Sequence, residues 1–260
     1  MAVEAPAQWR RLGAGLVGLI VLLVFGTTWL ASDRSGVHEL GVSSELLIVN
    51  DAGAVRVRSL DSYDGEEVGE VNGGAIVRTA ESWLLRGPLI EQLIDGDSSA
   101  FRMTCPSRFP CRATLEVFVP DGVALSIVAA DDLVQVDAFN GSMSIFAGDG
   151  GVVLGTVTGS VSIISDGPVT GTSLGPAELS VDVVDDDVSL TFLDSPTVLA
   201  VLGGEGSVTI EVPPGDDYAI DAEGVETEIS IETEPTSDRL ISVRSAGSVS
   251  IDVSGQNGDG

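Results

Sequence analysis

The sequence predicts a mainly β fold: a single-stranded parallel β-solenoid with rungs of about 18 residues, preceded by one N-terminal transmembrane helix. Three observations predict it. Apolar pairs, two residues apart, recur every nine residues as Leu125/Ile127, Val134/Val136, Met143/Ile145, Val152/Leu154, Val161/Ile163, Leu179/Val181 and Val188/Leu190, with the weak pair Thr170/Thr172 filling the one remaining interval. Turn residues Asp131, Asp149, Gly167 and Asp185 recur every eighteen. Residues 12–31 carry no charge and are mostly apolar.

Alternation with a period of two marks a strand with one buried face. A fixed longer period marks stacked repeats. The corners at Asn140-Gly141, Thr158-Gly159 and Pro176-Ala177 differ in kind from the aspartate corners. Two alternating corner types give two straight runs per rung, with residue i beside i+18. The alternative is an antiparallel meander pairing i with i+9, which gives corners no reason to alternate. Beyond Leu190 the next pairs are expected at Val198/Ala200 and Val208/Ile210, ten residues apart. An extra corner residue absorbs that change without flipping the buried face.

The elements follow in order. Residues 1–11 are a cytoplasmic stub. Residues 12–31 span roughly 30 Å as a helix, the thickness of a bilayer core. Arg10 and Arg11 precede them, which keeps the N-terminus in the cytoplasm, and Trp9 and Trp29 stand near the two ends. The rival reading is a cleaved signal peptide, whose small-x-small site is broken by Thr28 and Trp29. Residues 32–45 read as a polar tether. Residues 46–253 read as an extracytoplasmic β domain, and 254–260 (SGQNGDG) as a disordered tail. Within the domain VPDGVALSI (119–127) echoes VPPGDDYAI (212–220), each with a Pro/Gly turn.

Cys105 and Cys111 flank a loop stiffened by Pro106 and Pro110. Outside a membrane such a pair is expected to be oxidised, with two free thiols as the alternative. Two thiolates alone do not complete a tetrahedral metal site.

The chain holds 12 Lys+Arg, none of them lysine, against 40 Asp+Glu, a net charge of −28. Such a surface repels phosphate backbones, so nucleic acid is excluded as a partner. Between Arg112 and Arg239 there is no basic residue, while 24 acidic side chains occur. Stacked rungs would line Asp131, Asp149 and Asp185 along one edge, near Asp132, Asp186 and Asp187. Ca²⁺ could bridge them, although solvated carboxylates are the favoured expectation because Ca²⁺ needs six to eight oxygens. Gly171-Thr172-Ser173-Leu174-Gly175 matches G-x-S-x-G in form but falls within the β repeat, without the strand-turn-helix elbow. The one histidine, His38, lies in the expected tether. No catalytic residue and no cofactor emerge.

The repeated units Gly159-Ser160-Val161, Gly206-Ser207-Val208 and Gly247-Ser248-Val249, the paired cysteines, the VP-x-G turn and the membrane segment form a recognisable set. Together they resemble the bacterial "putative adhesin" family of membrane-anchored β-solenoid domains. The resemblance covers most of residues 46–253; Asp132 and Asp187 depart from it at corners where glycine is usual. It implies a single-pass membrane protein with its C-terminal domain outside the cell. It implies a non-enzymatic module that binds a surface glycan or protein. Two alternatives remain: an envelope scaffold binding protein partners, and a carbohydrate-active β-helix enzyme. The second is disfavoured by the missing base between Arg112 and Arg239.

Overall fold

The computed structural model describes residues 31–41, 44–63, 74–84, 86–95, 98–106 and 110–254. Its strands are β1 (Ala31–Leu40), β2 (Glu45–Asn50), β3 (Val55–Ser59), β4 (Ala75–Leu84), β5 (Leu89–Asp95), β6 (Ser98–Thr104) and β7 (Cys111–Val119). Then come β8 (Ala124–Ala129), β9 (Val134–Asn140), β10 (Met143–Ala147), β11 (Val152–Ser165), β12 (Val169–Val183) and β13 (Val188–Phe192). The last are β14 (Val198–Gly203), β15 (Val208–Val212), β16 (Ala219–Glu223), β17 (Glu226–Ile229), β18 (Leu240–Ser245) and β19 (Ser248–Val253). All belong to one 19-stranded sheet of mixed orientation, curled nearly closed and barrel-like around a single core.

This overturns the expected fold class. The sheet is nearly closed and of mixed orientation where an open, parallel coil was expected, and β1–β4, β4–β7 and β5–β6 run antiparallel. Among the described residues no helix is long and apolar enough to cross a membrane. The apolar run lies outside them up to residue 30, as do the stub 1–11 and residues 255–260 of the tail. The expected tether is in large part a strand: β1 pairs along its whole length with β4. An edge strand needs one apolar face at most, so the polar sequence of residues 32–45 is no bar to it. Leu40 is buried and Val37 and His38 half-buried, while Asp33 and Arg34 face water.

The remaining strands form two parallel ladders. One runs β6–β2–β8–β10, the second half of β11, the second half of β12, then β14–β18–β16. The other runs β7–β3–β9, the first halves of β11 and β12, then β13–β15–β19–β17. The long strands β11 and β12 belong to both and fuse them. The eighteen-residue spacing is present where the repeat is cleanest: Leu125 lies beside Met143, and Met143 beside Val161.

Two registers differ from the sequence reading. Val152 lies beside Val169, seventeen residues on, so Val169 and Gly171 point inward and Thr170 and Thr172 outward. That slip accounts for the weak threonine pair, and a bulge at Gly159/Ser160 restores the eighteen-residue spacing. Beyond it Leu179 pairs with Leu199 and Val181 with Val201, twenty residues on. The buried pair there is Leu199/Val201, not Val198/Ala200. Both faces of VLAVL are apolar, so alternation alone cannot select one.

The stacking order departs from chain order at both ends. β2 and β3 are inserted between β6/β7 and β8/β9. β18 and β19 are inserted between β14/β15 and β16/β17. Burial explains the second case. Ile241, Val243, Val249 and Ile251 of β18 and β19 are fully buried, whereas every residue of β17 is exposed. The greasy rung takes the inner slot and the polar rung closes the end, because apolar area gains most where it is covered on both sides.

Corners allow little variation. Gly148 has the carbonyl oxygen of Ala130 only 1.6 Å from where a Cβ would sit, so only glycine lets the rungs close there. Gly122 and Gly215 both adopt left-handed φ values (78° and 97°), as the VP-x-G echo requires. Cys105 and Cys111 are disulfide-bonded, with 5.6 Å between Cα atoms, and clip the end of β6 to the start of β7.

Ile145 sits mid-stack at 1% exposure. Ile145→Ala should therefore cost about 3 kcal/mol in urea unfolding, while Ser144→Ala on the outer face should change stability by less than about 0.5 kcal/mol.

Candidate functional site

Outward residues of the first ladder form three columns, because in-register stacking repeats each position about every 4.8 Å. The middle column is Ser126, Ser144, Ser162, Ser180 and Ala200. Beside it lie Ala124, Ser142, Ser160, Glu178 and Val198. On the other side stand Val128, Phe146, Ile164 and Leu202, with Asp182 between the last two. All four apolar members of that column are exposed. The two columns of mostly small side chains leave a shallow groove of about 490 Å³, lined by six serines with Glu45 and Glu178. No basic residue lines it. Hydroxyls that both donate and accept, spaced at rung intervals, are suited to an extended uncharged polar chain. They hold no nucleophile–base pair.

The second ladder carries the charged cluster of its outer face. Arg56 donates from Nε to Asp137 Oδ2 at 2.6 Å, Arg58 to the same oxygen at 3.1 Å, and Gln135 to Oδ1 at 2.6 Å. Burial pushes the Asp137 carboxyl up, but the hydrogen bonds from Arg56, Gln135 and Arg58 outweigh it and hold the group below its ordinary value. Glu116 bridges Arg58 at 3.2 Å and Arg78 at 3.8 Å. The Arg78 guanidinium lies 4.7 Å from the Tyr63 ring centroid and 5.3 Å from that of Phe118. This network staples β3, β4, β7 and β9 together.

The sequence-predicted candidates are scattered. Asp131, Asp149 and Asp185 are exposed at corners, those of Asp131 and Asp149 directly stacked, yet among the described residues no group of three His, Cys, Asp or Glu side chains is gathered to hold a metal ion. Asp187 instead accepts hydrogen bonds from the Ser207 backbone N–H and hydroxyl, both at 2.8 Å, which lower its pKa and stitch neighbouring corners. Ser173 is exposed on the bulge where β12 crosses between ladders, with a left-handed φ of 57°. No helix follows it, so the nucleophile-elbow context is missing. His38 packs 5.3 Å from the Phe101 ring and serves the core. One polar corner escaped the sequence reading: Ser195 donates to Asp216, which also pairs with Arg239 at 3.2 Å, beside the buried Tyr218. Burial raises the pKa of that tyrosine. The groove escaped it too, although the serines at 126, 144, 162 and 180 repeat every eighteen residues in plain view.

No family model and no curated protein sequence matches the chain. Among solved structures it is similar to one named as a "putative adhesin" from Parabacteroides merdae, at 10% identity and TM-score 0.46, over 85% of this chain and 96% of that one. A "putative lipid binding protein" from Parabacteroides distasonis gives 11% identity and TM-score 0.41, over 84% and 96%. A "putative adhesin" from Bacteroides fragilis gives 9% and 0.39, over 85% and 97%. These values assign no family, and the names stay with those proteins.

Asp137→Asn should destabilise the protein by about 1–2 kcal/mol at pH 7, since hydrogen bonds to a charged group are lost from a partly exposed network. The folded-state pKa is depressed, so the wild-type advantage holds above the ordinary carboxylate range and fades as pH falls through the folded value. Urea midpoints for both proteins between pH 7 and pH 2 would show the two curves converging.

Proposed function

We propose that the protein is a single-pass membrane protein, anchored by residues 12–31, that presents its β domain outside the cell as a non-enzymatic, adhesin-like binding module. One observation carries the binding reading: the serine-lined groove of about 490 Å³ crossing consecutive in-register strands. A chain laid across the ladder meets a serine hydroxyl on each of β8, β10, β11 and β12. Charge narrows the ligand. At −28 net charge the molecule repels polyanions, so an uncharged surface glycan fits and an acidic one does not. The anchor reading rests on the uncharged run and on Arg10 and Arg11 before it.

The test is a glycan array probed with full-length protein in nanodiscs. Neutral polysaccharides should be retained in preference to acidic ones. Ser144→Trp and Ser162→Trp should each weaken that binding at least tenfold while leaving the melting temperature unchanged. Equal binding by wild type and both variants would remove the groove from the account, and turnover of the bound polysaccharide would make the protein an enzyme.

A further inference from the structure

Both outermost strands at one end of the sheet, β1 and β5, lie where the chain emerges from its apolar run. Ala31 pairs with Leu84 at the end of β4, and Leu89 opens β5 five residues later. Leu89 pairs with Thr104, next to the disulfide at Cys105. The entry point, the start of β5 and the cross-link therefore share one corner. Trp83 stands there half-buried, its ring 3.1 Å from where a Cβ on Gly87 would sit.

β5 carries the charges of an edge strand, Glu91 and Asp95, but also exposes large apolar side chains beside them. Leu89, Leu93 and Ile94 are 58%, 62% and 68% exposed. Of its inward-facing positions Ile90 packs against the core, while Ile94, opposite Ser99, and Gln92, opposite Phe101, are exposed; Leu89 and Leu93 lie on the other face. Edge strands usually carry charge or proline to discourage contact. Large apolar side chains left uncovered on both faces of an edge strand mark a surface meant to be covered.

Charge gives the direction. Arg34, Arg86, Arg102 and Arg112 are all exposed at this end. Asp33, Glu39, Glu91 and Asp95 accompany them, so the end is close to balanced. The body beyond it, residues 113–238, is acidic without a single base. An anionic bilayer surface repels that body and tolerates only this end.

We propose that β5 and the corner around Trp83 rest in the headgroup layer of the bilayer that holds residues 12–31, setting the stack upright with the serine groove clear of the surface. The inference rests on the anchor reading above. Apolar contact by Leu89, Leu93 and Ile94 supplies the adhesion, and charge supplies the orientation.

The test uses the full chain in vesicles of phosphatidylcholine with phosphatidylglycerol. Leu93→Cys or, as the distal control, Val225→Cys (84% exposed) is labelled with a nitroxide. Cys105 and Cys111 are bonded to one another and leave the introduced thiol as the labelling site. The Leu93 label should be at least threefold less accessible to a water-soluble nickel reagent than the Val225 label. Equal accessibility in protein that resists carbonate extraction overturns the docking and leaves the anchor intact. Protein that carbonate removes, yet whose Leu93 label was shielded beforehand, upholds the docking and overturns the anchor. Spectral broadening between Leu93 labels marks a second copy paired along β5 and overturns the proposal.

Discussion

In-register stacking of apolar columns holds this molecule together. Each rung contributes inward side chains, such as Leu125 and Ile127, that lie against the equivalents of the next rung, Met143 and Ile145. A slip of one residue within a strand would turn its whole buried set to water. Irregularity is therefore confined to corners and bulges: the seventeen-residue step into β12, the shift at Gly159/Ser160 and the twenty-residue steps into β14 and β15. The outer columns are a by-product of the same register. Serines at 126, 144, 162 and 180 form a groove because the leucines, valines and isoleucines behind them must align.

The nine-residue pairs and the eighteen-residue pairing across β8, β10 and β11 were legible, because one buried face writes itself as alternation. Three features were not. The face of β14 was misread because Val198, Ala200 and Leu202 are as apolar as the buried Leu199 and Val201. The strand β1 was hidden in polar sequence, since an edge strand draws its hydrogen bonds from β4 and asks little of its side chains. The inserted positions of β2/β3 and β18/β19 depend on pairings far apart in sequence, such as Leu47 with Ser126, and no local pattern encodes these. Of the candidate site, the serine period was present in the sequence, but its meaning depended on knowing which face was outward and how large the neighbouring column was. The aspartate corners were legible as turns.

Order and charge also divide the molecule along its length. The antiparallel strands, the disulfide and most of the described arginines gather at the end where β1 begins, and the rest is mostly acidic, with Arg239 and Arg244 as its bases. Such a gradient suits a body held by one end, with a polar rung, β17, closing the other. Long-range pairing makes assembly demanding, since the slot beside β14 and β15 is filled by strands about forty residues further on. The buried Ile241, Val243, Val249 and Ile251 give those last strands the strongest claim to it.

The most direct test is a cross-link between Leu47→Cys and Ser126→Cys, outward-facing neighbours in adjacent parallel strands although 79 residues apart in sequence. In-register stacking with an inserted first rung predicts that a disulfide forms under mild oxidation without loss of stability. Failure of that bond, together with ready formation of one between Ser126→Cys and Gln135→Cys, would show nine-residue hairpins in place of stacked rungs and contradict the account.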